Sequence, residues 1–304
     1  MSPDDFVLAL RALDAPVFLD DHGVPGPLGI EFTATTSDGR SVLVTQLSPA
    51  LNRGVTNPDA FVRTIERAGY QGAGVTESGQ LYFLELPGRG TTIAHRLATD
   101  GPIPASEVLG IARAVCDLLS TPGAAPHGLL TPSTILVGSD AGVVLRWPQM
   151  LFALRAAGID VRTLVTELDA LEYIAPELLD GAPIDVHADV FALGTTLYAA
   201  LTGRPPFGGR TTATMMAVVL ADGGAPATSV TGTLTAALVR AIEQDPADRW
   251  HDLQQFRGAL GGDVPSGAPA RKTAATRSRS GCGARAVIIL GAAALVLWAA
   301  SKYI

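Results

Sequence analysis

Lysine is nearly absent from this chain. Of its 304 residues 22 are basic, yet only Lys272 and Lys302 are lysine, so residues 1–271 contain none. Chemistry that needs a lysine in that stretch is excluded, Schiff-base catalysis and a P-loop lysine included. Cysteine is scarce as well. Cys116 and Cys282 lie far apart, and the five histidines form neither an HExxH pattern nor a pairing with cysteine. No disulfide framework and no metal site is expected, which suits a reducing compartment. Met1-Ser-Pro-Asp-Asp5 lacks the basic and then apolar build of a signal peptide, and export by that route is not expected.

Charge of one sign is missing from one end. All 29 acidic residues lie at or before Asp263, and the 16 arginines of residues 1–270 leave that body at −13. Residues 271–304 carry only basic charges, six of them. Phosphate neutralisation needs clustered basic side chains, so the acidic body argues against a nucleic-acid partner.

What is present reads as two kinds of structure. Residues 4–14 space Phe6, Val7, Leu10 and Leu13 as a helix. From about 15 to 87 the pattern is β-like: IEFTATT and SVLVTQL flank Ser37-Asp38-Gly39-Arg40 as a hairpin, and QLYFLEL (80–86) is a further strand. A helix is expected over 57–68, beginning near Asn57 or Asp59. Beyond 104 the chain is mostly helical, over 104–120, 188–202, 211–222 and 232–245, with a second hairpin over 133–147 around Asp140-Ala-Gly142. The pattern predicts an α+β chain of two lobes.

Residues 261–285 are rich in Gly, Pro, Ser, Thr and Arg, with almost nothing apolar to bury, and read as a flexible basic linker. Residues 286–300 are uncharged and mostly apolar, and 286–304 as a helix measures roughly 28 Å, close to the hydrocarbon thickness of a bilayer. With no polar face and a linker before it, this segment is read as a transmembrane helix rather than a core helix. Lys302 and Tyr303 suit the far interface, and the basic residues on the near side keep the acidic body cytoplasmic. The expectation is a tail-anchored, single-pass protein of the inner membrane. Palmitoylation of Cys282 and helix pairing through Gly291-Ala-Ala-Ala are weaker readings than a bland linker and an alanine-rich span.

Several segments carry a resemblance. Leu171-Glu-Tyr-Ile-Ala-Pro-Glu177, Asp185-Val-His-Ala-Asp-Val-Phe-Ala-Leu-Gly194, Leu201-Thr-Gly-Arg-Pro-Pro-Phe207 and Asp245-Pro-Ala-Asp-Arg249-Trp250 follow in order. Together they resemble the eukaryotic-like serine/threonine protein kinases of bacteria, with Ala175-Pro176-Glu177 matching the end of that family's activation segment. The resemblance covers roughly 15–260 and implies a bilobal protein-kinase-like fold, with a β-rich N-lobe over about 1–87 and a helical C-lobe over about 88–260. It implies that Glu177 and Arg249 form an ion pair, that Asp189 accepts hydrogen bonds from the loop containing His127, and that Gly194 lets the central helix pack closely.

The same resemblance implies losses. Phosphoryl transfer uses a lysine on the phosphates, acidic and amide ligands for magnesium, and an aspartate at the substrate hydroxyl. The lysine position reads Thr45, and its helical glutamate partner reads Thr64, with Glu66 two positions on. In His127-Gly-Leu-Leu-Thr-Pro-Ser-Thr-Ile-Leu136, Leu129 stands for the aspartate and Thr134 for the metal-binding asparagine, while Trp147 stands for the magnesium aspartate. The glycine loop, Val24-Pro-Gly26-Pro-Leu-Gly29, keeps Gly26 and Gly29 but adds two prolines, which donate no N–H to a phosphate. One missing electrostatic group costs about 3–4 kcal/mol in a barrier, though such losses need not add. Arg146 could hold phosphate but reads better as a solvated strand residue, and Asp140 as a turn former. The expectation is a pseudokinase, not an enzyme, with no cofactor and with ATP and magnesium absent from its chemistry. It would act as a scaffold or allosteric regulator of a protein partner at the membrane face, such as an active kinase or an envelope protein. The alternatives are an atypical active kinase and a non-catalytic nucleotide or small-ligand sensor.

Overall fold

The computed structural model describes residues 17–20, 22–76, 78–138, 142–207 and 233–260. The helices expected over 4–14 and 211–222, Asp140, Cys282, the linker, and the span over 286–304 lie outside the described residues. Among the described residues no helix is long and apolar enough to cross a membrane.

The N-terminal lobe is a six-stranded antiparallel sheet. Its strands are β1 (Val17–Leu19), β2 (Val24–Gly26), β3 (Gly29–Thr36), β4 (Ser41–Leu47), β5 (Gly72–Val75) and β6 (Leu81–Glu85), in the order β1-β3-β4-β6-β5 with β2 also on β3. The β3–β4 hairpin turns where Asp38-Gly39 predicts it, with Gly39 at φ 83°. Alternation then sorts the side chains. Phe32, Ala34, Val42, Val44, Tyr82 and Leu84 cluster on one face, and Leu47, Leu81 and Phe83 join the core on the other.

That second face is covered by helix. A short α1 (Pro49–Arg53) precedes α2 (Pro58–Arg67), whose start is set by Asn57: its side chain accepts from the Ala60 amide at 3.2 Å, and Pro58 pre-sets the first helical φ. Phe61 and Ile65, four apart, are fully buried against the sheet.

The C-terminal lobe begins with β7 (Thr91–Thr92), α3 (Ile93–Thr99) and α4 (Ala105–Leu119), then β8 (Ile135–Val137) and β9 (Val143–Leu145), which complete a three-stranded sheet β7-β8-β9. Two short helices follow, α5 (Met150–Ala156) and α6 (Val161–Glu167), then α7 (Pro176–Leu179), α8 (Val186–Thr202), α9 (Thr233–Ala241) and α10 (Leu253–Leu260). Helix α8 is the lobe's axis. It is mostly apolar and buried from Ala188 to Ala200, as a helix packed on all sides must be. Asp185 caps it through the His187 and Ala188 amides, and Gly203 ends it in the left-handed conformation at φ 77°. Gly194 is needed there: a Cβ would stand 2.8 Å from that of Ala241 on α9.

Candidate functional site

The loop before β8 is fixed by hydrogen bonds to α8. Asp189, in the first turn of α8 and 1% exposed, accepts from the His127 amide at 2.7 Å and the Gly128 amide at 2.8 Å, one on each oxygen. Burial pushes its carboxyl up to about 7 against the pull of those two amides. The His127 ring is held at both nitrogens: Nε2 donates to the Arg146 carbonyl at 2.9 Å, and Nδ1 accepts from the Leu129 amide at 3.2 Å. That pair of bonds requires the neutral imidazole, and burial pushes its pKa down to about 4.

A folded value below the ordinary 6.5 means that the contribution of His127 to stability is present above that pH and is lost as pH falls towards about 4. Asp189, raised from 3.8 to about 7, contributes in the opposite direction over the same window. The histidine is therefore best followed alone. Its imidazole nitrogen resonances are expected to keep neutral-form shifts from pH 8 down to near 4 in an NMR titration, and a midpoint near 6.5 would contradict the buried geometry.

Leu129 is wholly buried in the core. Thr134, also buried, closes its own loop: its hydroxyl donates to the Thr131 carbonyl at 3.0 Å and accepts from the Thr131 amide at 2.8 Å. Thr64 is equally self-contained, bonding back to the Ala60 carbonyl at 2.8 Å, and Glu66 is exposed.

Thr45 sits on β4 between Glu31 and Phe83, fully buried. Its hydroxyl has no hydrogen-bond partner among the described residues. An unsatisfied buried hydroxyl costs about 1–3 kcal/mol. Thr45→Val, which keeps the shape and removes the oxygen, is therefore expected to raise stability by about 1 kcal/mol in denaturant unfolding.

The glycine loop is a tight hairpin rather than an open cradle. Gly26 pairs with Gly29, and the tip residue Leu28 is turned inward with no exposed surface. The Ser48 amide donates to its carbonyl at 2.8 Å. Gly29 is required by the neighbouring strand: a Cβ would stand 2.0 Å from the Gln46 carbonyl oxygen. Below the hairpin, Pro27, Leu129, Thr131, Ser133, Trp147, Leu168 and Ala170 enclose a gap of about 20 Å³. That is room for about one water, where a small-molecule site takes about 300 Å³ or more.

Trp147 and Arg146 bridge the two lobes. Trp147 is 1% exposed, has a left-handed backbone at φ 62°, and donates from Nε1 to Glu85 Oε1 at 3.2 Å. The Arg146 guanidinium lies 4.7 Å from the centre of that indole. It donates from Nε to Glu85 Oε1 at 3.1 Å, from Nη2 to the same oxygen, and from Nη2 to Glu31 Oε1 at 3.1 Å. Arg146 is thus not a solvated strand residue. It is a buried cation shared by two carboxylates, and burial pushes the Glu85 carboxyl up while Arg146 pulls it down. Sequence reasoning missed Glu31 and Glu85. The signal was one acidic residue in each of two apolar strands, IEFTATT and QLYFLEL.

The Leu129 and Trp147 side chains offer no oxygen to a metal, and the Thr134 hydroxyl bonds within its own loop.

On the far side of the C-lobe, Arg249 ties three segments together. Its side chain has no exposed surface. It donates from Nη1 to Glu177 Oε1 at 2.7 Å, from Nη2 to Glu177 Oε2 at 2.8 Å, and onward to the carbonyls of Glu243, Gln244 and His187. All five guanidinium donors are used.

Comparison with known proteins agrees with this architecture. Residues 157–252 match the family model described as "Protein kinase domain". The chain is similar to "Serine/threonine-protein kinase PknB" of Mycolicibacterium smegmatis, 26% identical over 179 residues, 56% of this chain and 28% of that protein. It is similar to "Probable serine/threonine-protein kinase CE0033" of Corynebacterium efficiens, 27% identical over 73% of this chain and 37% of the relative. It is also 24% identical to "Probable serine/threonine-protein kinase PknB" of Corynebacterium glutamicum over 78% of this chain and 40% of the relative. The chain therefore spans less than half the length of these curated relatives. The matches support the protein kinase family, and the β-sheet N-lobe with its helical partner fits a kinase-like fold. They also correct one expectation. The relatives are named as serine/threonine protein kinases, which are enzymes, and the expectation that this chain is not an enzyme does not stand.

Proposed function

We propose that this protein, whose matches support the kinase family, works as a regulatory module that binds a protein partner at the cytoplasmic face of the membrane. In this reading it is a scaffold or an allosteric regulator, tethered through residues 286–304. The observation that carries the reading is the packing of Leu28, Trp147 and Arg146 where the lobes meet, beside the bonded Asp189 and Arg249 networks of the C-lobe. A partner that is itself a serine/threonine kinase suits a kinase-like lobe presented at a membrane surface. The test is to add the full chain, in lipid vesicles, to a purified bacterial serine/threonine kinase. The reading expects a saturable change in that kinase's phosphorylation rate or membrane recruitment, and no effect at any ratio would overturn it.

The names of the relatives favour a second reading, phosphoryl transfer with rearranged ligands. Incubating the full chain with labelled ATP, magnesium or manganese, and a generic protein substrate separates the two. Robust transfer that is lost on changing Arg146 would assign the second.

A further inference from the structure

We infer that Arg146, Glu85 and Glu31 form a latch between the lobes, which holds residues 147–156 in a strained, docked form that parting the lobes would release. The charges come from three places in the chain. Arg146 follows β9 in the C-lobe, Glu31 lies on β3 and Glu85 ends β6 in the N-lobe, and their side chains are only 12%, 14% and 10% exposed. One cation serves two carboxylates, and the Trp147 indole joins the same Glu85 oxygen. The Tyr70 hydroxyl adds a further bond from the N-lobe, donating to the Pro148 carbonyl at 3.2 Å.

The backbone just beyond the latch is in conformations that side-chain-bearing residues rarely adopt. Trp147 stands at φ 62° and Gln149 at φ 58°. Such geometry persists only where the surroundings impose it. The opposite end of the segment is also fastened to the N-lobe, because the Ala157 carbonyl accepts from the Thr56 amide at 2.8 Å and the Asn57 amide at 2.9 Å. Between these ties, Met150, Leu151 and Leu154 of α5 share a core with Phe61 and Ile65 of α2. The segment thus runs between a charged latch and a pair of backbone bonds, with left-handed residues at the latched end. Breaking the latch removes the constraint that holds those residues, so the segment gains a second, relaxed arrangement. The inference holds whichever of the two functional readings is correct, since it concerns what moves when a partner or ligand parts the lobes.

Hydrogen exchange of the full chain in lipid vesicles tests it with two variants. Glu85→Gln keeps the shape and removes the charge. It is expected to speed exchange of amides in 147–157 by about tenfold while leaving α8 and α10 at wild-type rates. Gln149→Gly leaves the ion pairs untouched and relieves a positive φ, so exchange in the same segment should slow by about threefold. Unchanged exchange in 147–157 for Glu85→Gln overturns the latch. So does a uniform acceleration that includes α8, which would make the ion pair a general stabiliser only. Faster exchange in Gln149→Gly would contradict the strain argument.

Discussion

Replacing Arg249 with methionine is expected to lower the stability of the folded body by about 3–5 kcal/mol, more than any single surface change. The size follows from how the side chain is used. Methionine fills much of the volume but leaves the Glu177 carboxylate and the carbonyls of His187 and Glu243 without this donor. The stack of the guanidinium on Phe191, at 4.8 Å, is lost as well. Glu177 retains 19% side-chain exposure, so water can reach it once the arginine is gone. For that reason Glu177→Gln should cost less, about 1–2 kcal/mol, because it keeps an acceptor and removes only charge. Lysine is not a conservative substitute here, since three donors on a flexible stem cannot meet five fixed acceptor directions. Denaturant unfolding of the three variants checks the ranking: methionine and lysine at position 249 well below Glu177→Gln, which sits closest to wild type.

The second large effect lies in the cleft. Trp147→Ala is expected to destabilise by about 3–5 kcal/mol, the range for emptying a buried aromatic site. The left-handed backbone at φ 62° is no easier for alanine, so nothing is regained there. Trp147→Asp is expected to be worse still despite its smaller volume change. It sets a carboxylate in the space where Glu85 and Glu31 already share one guanidinium. Equal losses for the two variants in denaturant unfolding would mean that charge in the cleft is solvated, contrary to the burial of all three partners.

Much of the N-lobe was legible because its signals are local. Asp38-Gly39 between two alternating runs specifies the β3–β4 hairpin, and Asn57 followed by proline specifies the start of α2. The apolar spacing over 188–202 likewise marks the helix α8. Helices α5 and α6 were not read. Each is only seven residues long, too short to be stable alone, and each exists because Met150, Leu151 and Leu154, or Val161, Leu164 and Val165, find a core to enter. Arg146 was misread for a related reason. In VVLRW its position looks solvent-facing, and its partners Glu85 and Glu31 lie 61 and 115 residues upstream, beyond any local pattern. The contribution of Leu28 was hidden in the same way, since a glycine-rich motif does not reveal that its tip folds inward. Thr45, Leu129, Thr134 and Trp147 are singled out by the motifs around them. That they pack as interior residues, with Thr45 lacking a partner among the described residues, required the structure.

On the proposed reading, Leu28, Trp147 and Arg146 leave no room for a nucleotide where the lobes meet. The most direct test is the unfolding temperature of the full chain at rising ATP, with and without magnesium. That reading expects no shift at millimolar nucleotide. Saturable stabilisation, which reaches about 2.7 kcal/mol when ligand stands at 100 times its dissociation constant, would contradict it.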